Sequence, residues 1–322
     1  MLMKAMYYSY YRPNNRKVAY EWMRESIVLL QHSTDPAYIQ SFIQLSDEMY
    51  RADNSLAEEY LTDYTLCSTI LSNAMADTTS KKYPVLKQVK AYADQLFASS
   101  GVADCDKMNT IFLPEIENKK DDIVYLTSIL SLFKSLDCRE TEAYYTASTY
   151  SFNIDPSAEA AGGLGRMYFA KGDYQKAVEY LTQSIKLEQE RSETDDEYII
   201  LASAYLKLNN DHKAKECCKL SLEVNPKQGT PYILLASIYA SARVSDDPIL
   251  QKAVYWAAVD QLRKGREVET KATVVERINS LIAQYSQYFP TKEQVFMHDE
   301  ISEGQSYYVG GIVGETTTVR GK

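Results

Sequence analysis

Apolar residues recur at three- and four-residue intervals along most of the chain, the spacing that gathers them on one face of an α-helix. Seven stretches before residue 158 carry it: 15–31, 36–52, 55–75, 83–100, 106–120, 122–136 and 140–152. Polar or turn-forming breaks divide them, at Pro13-Asn14-Asn15, Asp53-Asn54, 77–84, 100–106, Lys119 to Asp122 and around Cys138. A helix with one apolar face buries it only by stacking on a neighbour. Residues 1–157 are therefore expected as degenerate helical hairpins in one array, not as separate domains.

From Ala158 the pattern becomes a repeat. A leucine and a small residue precede a tyrosine three times: Leu164-Gly165 with Tyr168, Leu201-Ala202 with Tyr205, Leu235-Ala236 with Tyr239. In the first two units an alanine, Ala177 or Ala214, lies twelve positions beyond the small residue, and Pro226 closes the second unit. Ala202 and Ala236 are 34 residues apart, the period of the tetratricopeptide repeat. The 37 residues from Gly165 to Ala202 are accounted for by a polar insert at 188–195. In the third unit the second helix starts late, after ARVSDDP, placing its alanine at Ala253.

Over 158–265 these residues resemble the tetratricopeptide family. The resemblance implies an all-α, right-handed solenoid of antiparallel helix pairs, with 158–289 holding the repeats and a closing helix. Beyond Pro290 the texture changes: five of the 12 glycines fall at 304–321 among β-branched residues. Two short strands, within 306–310 and 315–320, are expected there as a C-terminal cap over 290–322.

The glycine cluster Gly162-Gly163-Leu164-Gly165 invites a nucleotide reading. A dinucleotide fingerprint needs a preceding strand and a further glycine where Tyr168 stands, and a helix start precedes it here. Gly165, Ala202 and Ala236 instead fall where the first helix of each unit meets the second, opposite Ala177 and Ala214, so that bare surfaces let the axes approach. Gly162 and Gly163 have no such reason in the repeat. They read either as a tolerated thin spot in the helix or as clearance for a bound backbone.

Composition narrows the function classes. Thirty-five basic against 44 acidic side chains leave a net charge of −9, which repels phosphate backbones and argues against nucleic acid as a partner. No run approaches the roughly 20 apolar residues of a membrane-spanning helix. Tyrosines number 27 against 8 phenylalanines, which suits helix seams whose rims stay wet. The five cysteines, 67, 105, 138, 217 and 218, show no zinc or redox spacing, and the vicinal pair reads as packing thiols.

Candidate chemistry is sparse. His32 and His212 sit in polar surroundings, and His298 in FMHDE lacks the second histidine of a metalloprotease helix. The acidic runs SETDDE, KKDDI and VSDDP lack calcium-loop spacing and read as helix-capping loops. No metal, cofactor or catalytic set is implied. The repeat resemblance instead points to a concave groove lined by the first helices: Glu159, Gly162, Arg166 and Phe169, then Asp196, Ile199, Ser203 and Leu206, then Thr230, Ile233, Ser237 and Ala240. Chaperone-binding members clamp a peptide carboxylate there with lysines and asparagines. Arg166 is the one cation in this set, so an apolar or mixed segment of a protein partner is the expected occupant. Alternatively, a neighbouring helix of the chain itself fills the groove.

The segments VADCD, FLPEIENKKDD, KAVYWAAVDQLRKG, YSQYFPTKEQVF and SYYVGGIVGETTTVR resemble an exported tetratricopeptide family of Bacteroidetes. That resemblance implies a periplasmic or envelope protein with a further portion and an export signal upstream, the alternative being a cytoplasmic one. In an oxidising compartment Cys105 and Cys138 would bridge neighbouring hairpins; otherwise they are free thiols. The expected function is a non-catalytic protein-binding scaffold, with homo-oligomers left open. Two rivals remain: an envelope assembly scaffold whose β tail pairs strands with a partner, and a hydrolase or glycan-binding protein using FMHDE.

Overall fold

The structure, a computed structural model, describes the chain except residues 76, 78, 103 and 189–193 and the side chains of Pro13 and His32. Most of the insert read at 188–195 thus lies outside the described residues. Those described form sixteen α-helices and one two-stranded sheet. They divide into two compact units, Met1–Gly163 and Leu164–Lys322.

The first unit contains α1 (Leu2–Tyr11), α2 (Arg16–Leu30), α3 (Pro36–Ala52), α4 (Ala57–Ala74), α5 (Tyr83–Ser99), α6 (Cys105–Asn118), α7 (Ile123–Ser135) and α8 (Glu142–Ile154). The last seven lie on the seven periodic stretches. Helix α1 corrects that count: its tyrosines break the apolar run, yet Ala5 is fully buried and the helix packs on α2 and α3. Side-chain caps set several starts. Asp35 accepts from Ala37 N with Pro36 at the first helical position, Asp104 accepts from Asp106 N and Lys107 N, and Asp122 accepts from Tyr125 N. Aromatic stacking forms much of the core; the rings of Tyr64 and Phe97 lie 3.9 Å apart and nearly parallel. A disulfide joins Cys105, at the start of α6, to Cys138 in the turn before α8. Cys67, Cys217 and Cys218 are free and buried, and burial pushes the last two thiols up to about 12.

Helix α9 (Ala158–Ala170) runs from the first unit into the second. There it is followed by α10 (Tyr174–Leu187), α11 (Asp195–Lys207), α12 (Asp211–Val224), α13 (Thr230–Ser241), α14 (Ala253–Val268), α15 (Ala272–Ser286) and the short α16 (Lys292–Phe296). The turns inside the first two hairpins are alike. A left-handed residue, Gly172 or Asn209, precedes a cap, Asp173 or Asn210, that accepts a backbone N–H of the next helix.

Strands β1 (Ser306–Val309) and β2 (Glu315–Thr318) pair antiparallel, from Ser306 opposite Thr318 to Val309 opposite Glu315. The hairpin lies on α14 and is bonded inward. Trp256 Nε1 donates to Arg320 O at 2.9 Å, and Arg320 pairs with Asp260 at 2.7 Å. Lys215 Nζ reaches from α12 to the carbonyls of Ile312 and Val313 at 2.7 and 2.8 Å. Glu315 accepts from Tyr239 and from Gln261. Val309, Val313 and Val319 are fully buried. Among the described residues no helix is long and apolar enough to cross a membrane.

Candidate functional site

Inside the first hairpin of the second unit, the bare Gly165 lies close against α10 at Leu181. A Cβ added to Gly165 would lie 2.5 Å from Leu181 Cγ and 3.1 Å from Leu181 N on α10. Ala177, Ala202, Ala214, Ala236 and Ala253 are all fully buried, and Leu164, Leu201 and Leu235 nearly so. The repeat tyrosines brace the first two seams and, at the third unit, the C-terminal hairpin. Tyr168 stacks on Tyr180 at 5.3 Å, Tyr205 lies under the Lys213 ammonium, and Tyr239 bonds Glu315. Pro226 lies in the exposed turn before α13.

Gly163, within the first unit, has a packing role that the repeat pattern does not contain. A Cβ there would meet Ser148 Oγ at 1.9 Å and Tyr144 Cε1 at 3.1 Å on α8. The cluster is a place of close helix approach, and the clearance reading of Gly163 is corrected accordingly.

Several expected groove residues are taken up by the fold. Arg166 is 7% exposed and pairs with Glu197 at 3.5 Å, so the one cation of the set is neutralised in place. Gly162 is buried and Ile233 only 4% exposed, and neither offers surface to a partner. Glu159, in the first unit, accepts from Tyr144 Oη and pairs with Lys134 at 3.0 Å. Asp196 accepts from Gln228 Nε2 at 3.4 Å, and Ser203 donates to the Ile199 carbonyl at 2.9 Å. Phe169 is half-buried edge-on to Tyr174. Ile199, Leu206, Thr230, Ser237 and Ala240 stay half-exposed. What remains of the set is part-exposed surface on α11 and α13, apolar at Ile199, Leu206 and Ala240 and hydroxyl-bearing at Thr230 and Ser237, with no available cation.

Two adjoining recesses lie in the first unit. One of about 360 Å³ is lined by Arg24 and Val28 of α2, Thr62, Thr65, Leu66 and Thr69 of α4, and Glu115, Lys119, Asp122, Val124 and Tyr125 around the α6–α7 turn. A second, of about 600 Å³, shares Arg24 and Val28 and adds Tyr20, Glu21, Glu25, Leu29 and Glu59. A buried carboxylate holds their shared wall in place. Asp63, fully buried on α4, accepts from Tyr20 Oη at 2.6 Å, Arg24 Nε at 3.0 Å and Ser46 Oγ at 2.7 Å. Burial raises its pKa above the ordinary aspartate value, against the pull of those donors. On the opposite wall Tyr125 Oη donates to Glu115 while the Lys119 ammonium lies 4.1 Å from the Tyr125 ring centroid. Five carboxylates line the two recesses against two cations. Apolar contact is available at Val28 and Val124, which are 43% and 45% exposed. Thr62, Thr65, Leu66 and Thr69 recur at helical spacing opposite the apolar face of α4, and that small, hydroxyl-rich stripe was the readable sign of this wall.

The remaining candidates are structural. His298 Nε2 lies 3.5 Å from Asp247, and its Nδ1 accepts from Glu300 N, closing a turn. Asp247 accepts from Leu250 N and Ile249 N, which hold its carboxyl below the usual range. Asp122 of KKDDI caps α7, and in SETDDE Asp195 accepts from Asn225 while residues 192–193 lie outside the described ones. Among the described residues no group of three or more His, Cys, Asp or Glu is placed to hold a metal ion.

Residues 158–191 and 198–228 each match a family profile described as tetratricopeptide repeat. No curated protein matches the chain. Among solved structures, a crystal structure of MamA is 19% identical, covering 51% of this chain and 88% of its own, at a TM-score of 0.39. The TPR2AB-domain:pHSP90 complex of yeast Sti1 is 21% identical, covering 86% of this chain and 95% of its own, at a TM-score of 0.34. At such identities and TM-scores neither says what this chain binds.

Proposed function

With tetratricopeptide repeats at 158–191 and 198–228, we propose that the chain is a non-catalytic scaffold that holds a segment of a protein partner along inner helix faces. The observation that carries this reading is the pair of adjoining recesses around Arg24 and Val28, with half-exposed valines between carboxylates. Their charge favours a segment carrying lysine or arginine beside apolar residues. The part-exposed surface on α11 and α13 suits an apolar or mixed stretch and lacks the cations a terminal carboxylate would need. Strand lending by the C-terminal tail is the weaker role, because the hairpin is anchored to α12, α13 and α14. The Cys105–Cys138 bond supports an oxidising compartment, the periplasm or envelope, as the place of work.

Selection of peptides displayed on phage against the full chain tests the reading. Basic-apolar sequences should be enriched, and their affinity should fall at least tenfold in Val28→Lys/Val124→Lys, which removes the apolar contact and adds like charge at half-exposed positions that leave the fold intact by circular dichroism. No enrichment, or binding indifferent to the double variant, refutes it. Arg166→Ala is unsuitable as a probe, since it breaks the buried pair with Glu197 and disturbs the repeat seam.

A further inference from the structure

A further recess of the first unit, about 390 Å³ in volume, lies between the ends of α2 and α4 and the start of α5. That size falls within the ~300–1,000 Å³ of small-molecule sites. It shares Gln31 and Asn73 with the recess around Arg24 and Val28 but differs from it in charge. Among the described residues Lys82 is the one charged side chain on its wall, and no carboxylate lines it.

Its polar groups are unspent. Thr34 is 5% exposed, and its buried Oγ1 has no hydrogen-bond partner. A hydroxyl left so in the interior is costly and uncommon. The Asn73 amide and the Lys82 ammonium make no hydrogen bond or ion pair among the described residues. Helix α5 starts with Lys82 at its N-cap and no side-chain cap, so the positive end of its dipole lies beside the same wall. The carbonyl ends of α2 and α4 border the space too, but four of their last carbonyls are taken. Gln31 N bonds Ile27 O, Gln31 Nε2 bonds Val28 O, and Met75 N bonds Leu71 O and Ser72 O. Gln31 does this at φ 47° and ψ −126°, a backbone conformation that residues other than glycine rarely adopt. Ile70 and Leu86, 3% and 5% exposed, make the rest of the wall apolar.

We propose that this recess binds a small organic carboxylate with an apolar body, its oxygens on Lys82, Asn73 and Thr34 and its hydrocarbon against Ile70 and Leu86. One cation balances one carboxylate. A free amino acid would leave its ammonium without an acid, and a phosphate dianion would leave a charge unmatched. Such a ligand needs none of the partner contacts proposed above.

Ligand-observed NMR titration of the full chain with hexanoate and benzoate tests this. At least one acid should bind with a dissociation constant below about 5 mM, and its amide, hexanamide or benzamide, at least about tenfold more weakly. Lys82→Gln, at an exposed position, should weaken the acid by about tenfold or more at an unchanged melting temperature. Thr34→Val separates binding from folding. It removes the orphaned hydroxyl, so the free chain should melt no lower, while the acid should bind at least about fivefold more weakly. The proposal is overturned if neither acid binds below about 5 mM, if acid and amide bind alike, or if both substitutions leave the affinity unmoved. Binding of acetyl-Ala-Val-Leu at least about tenfold tighter than either acid overturns it too, since the occupant is then the end of a peptide chain.

Discussion

Gly165→Ala isolates the physical idea on which the repeat reading rests. In a helix interior, alanine in place of glycine ordinarily stabilises by about 1 kcal/mol. At this position the added methyl would lie 2.5 Å from Leu181 Cγ and 3.1 Å from Leu181 N. A leucine tip can rotate, but a backbone nitrogen in α10 moves only if the helix moves. Overpacking of this kind costs about 1–3 kcal/mol. The balance is a loss of up to about 2 kcal/mol where an open seam would give a gain of about 1. The sign of the change therefore decides the matter.

The two tryptophans make the measurement local. Trp22 lies in the first unit; Trp256, fully buried on α14, lies in the second, which also contains Gly165. In a Trp22→Phe background, urea unfolding followed by fluorescence reports on Trp256 alone. With a slope of about 1–3 kcal/mol per molar urea, a loss of about 2 kcal/mol lowers the midpoint by roughly 0.7–2 M. Leu181→Ala supplies the control: it is costly itself, yet on that background Gly165→Ala should become neutral or favourable, a coupling of about 1–3 kcal/mol. A midpoint that rises on Gly165→Ala with Leu181 intact refutes close approach at this seam.

Two further outcomes follow from the same packing. Ending the chain at Ser302 removes the buried Val309, Val313 and Val319 and uncovers Trp256, so the second unit should lose at least about 5 kcal/mol of stability and unfold at lower urea; an unchanged Trp256 transition would mean that the hairpin is not a cap. Tyr20, Tyr60, Tyr64, Tyr125 and Tyr239 are held above the ordinary tyrosine value of 10.0, first by burial and then by a facing carboxylate. Their contribution is complete below that pH and is withdrawn as pH rises through it, because the unfolded chain ionises while the folded one resists, at about 1.4 kcal/mol per pH unit for each group. Absorbance titration at 295 nm should show these hydroxyls ionising only with cooperative alkaline unfolding, and smooth titration of all 27 tyrosines in a folded chain would contradict it.

The parts of the fold legible in the sequence share one property: their cause lies within a turn or two of chain. Helices α2 to α8 follow from periodicity and from caps such as Asp35 and Asp122, and the hairpin from glycine-bounded β-branched runs. The repeat seam was legible because Gly165 and Ala177 recur as Ala202 and Ala214. What escaped depends on pairs far apart in sequence with no repeat to announce them. Arg166 looked like a free groove cation because its partner Glu197 stands 31 residues on. Gly163 looked spare because the side chains that crowd it, Ser148 and Tyr144, belong to a helix before the repeats. Lys215 carries no local sign of its role because it meets the hairpin 97 residues later.

The tyrosines connect these cases. Their number suggested seams with wet rims, but many hydroxyls end on carboxylates instead. Tyr20 bonds Asp63 between α2 and α4, Tyr64 bonds Asp94 between α4 and α5, and Tyr125 bonds Glu115 between α7 and α6. Tyr144 bonds Glu159 between α8 and α9, and Tyr239 bonds Glu315 between α13 and β2. Each bond joins the polar end of a packed ring to an acid on another element, so an acidic chain spends part of its charge in fixing how its helices meet. A hydroxyl bonded to a carboxylate across a seam also specifies register, since slipping one helix by a turn of about 5.4 Å would part donor from acceptor. Apolar faces alone would tolerate that slip far better. Around Arg24 and Val28, Glu21, Glu25 and Glu59 add to acids such as Glu115 that also join helices, and together they set the sign of whatever the recesses can accept.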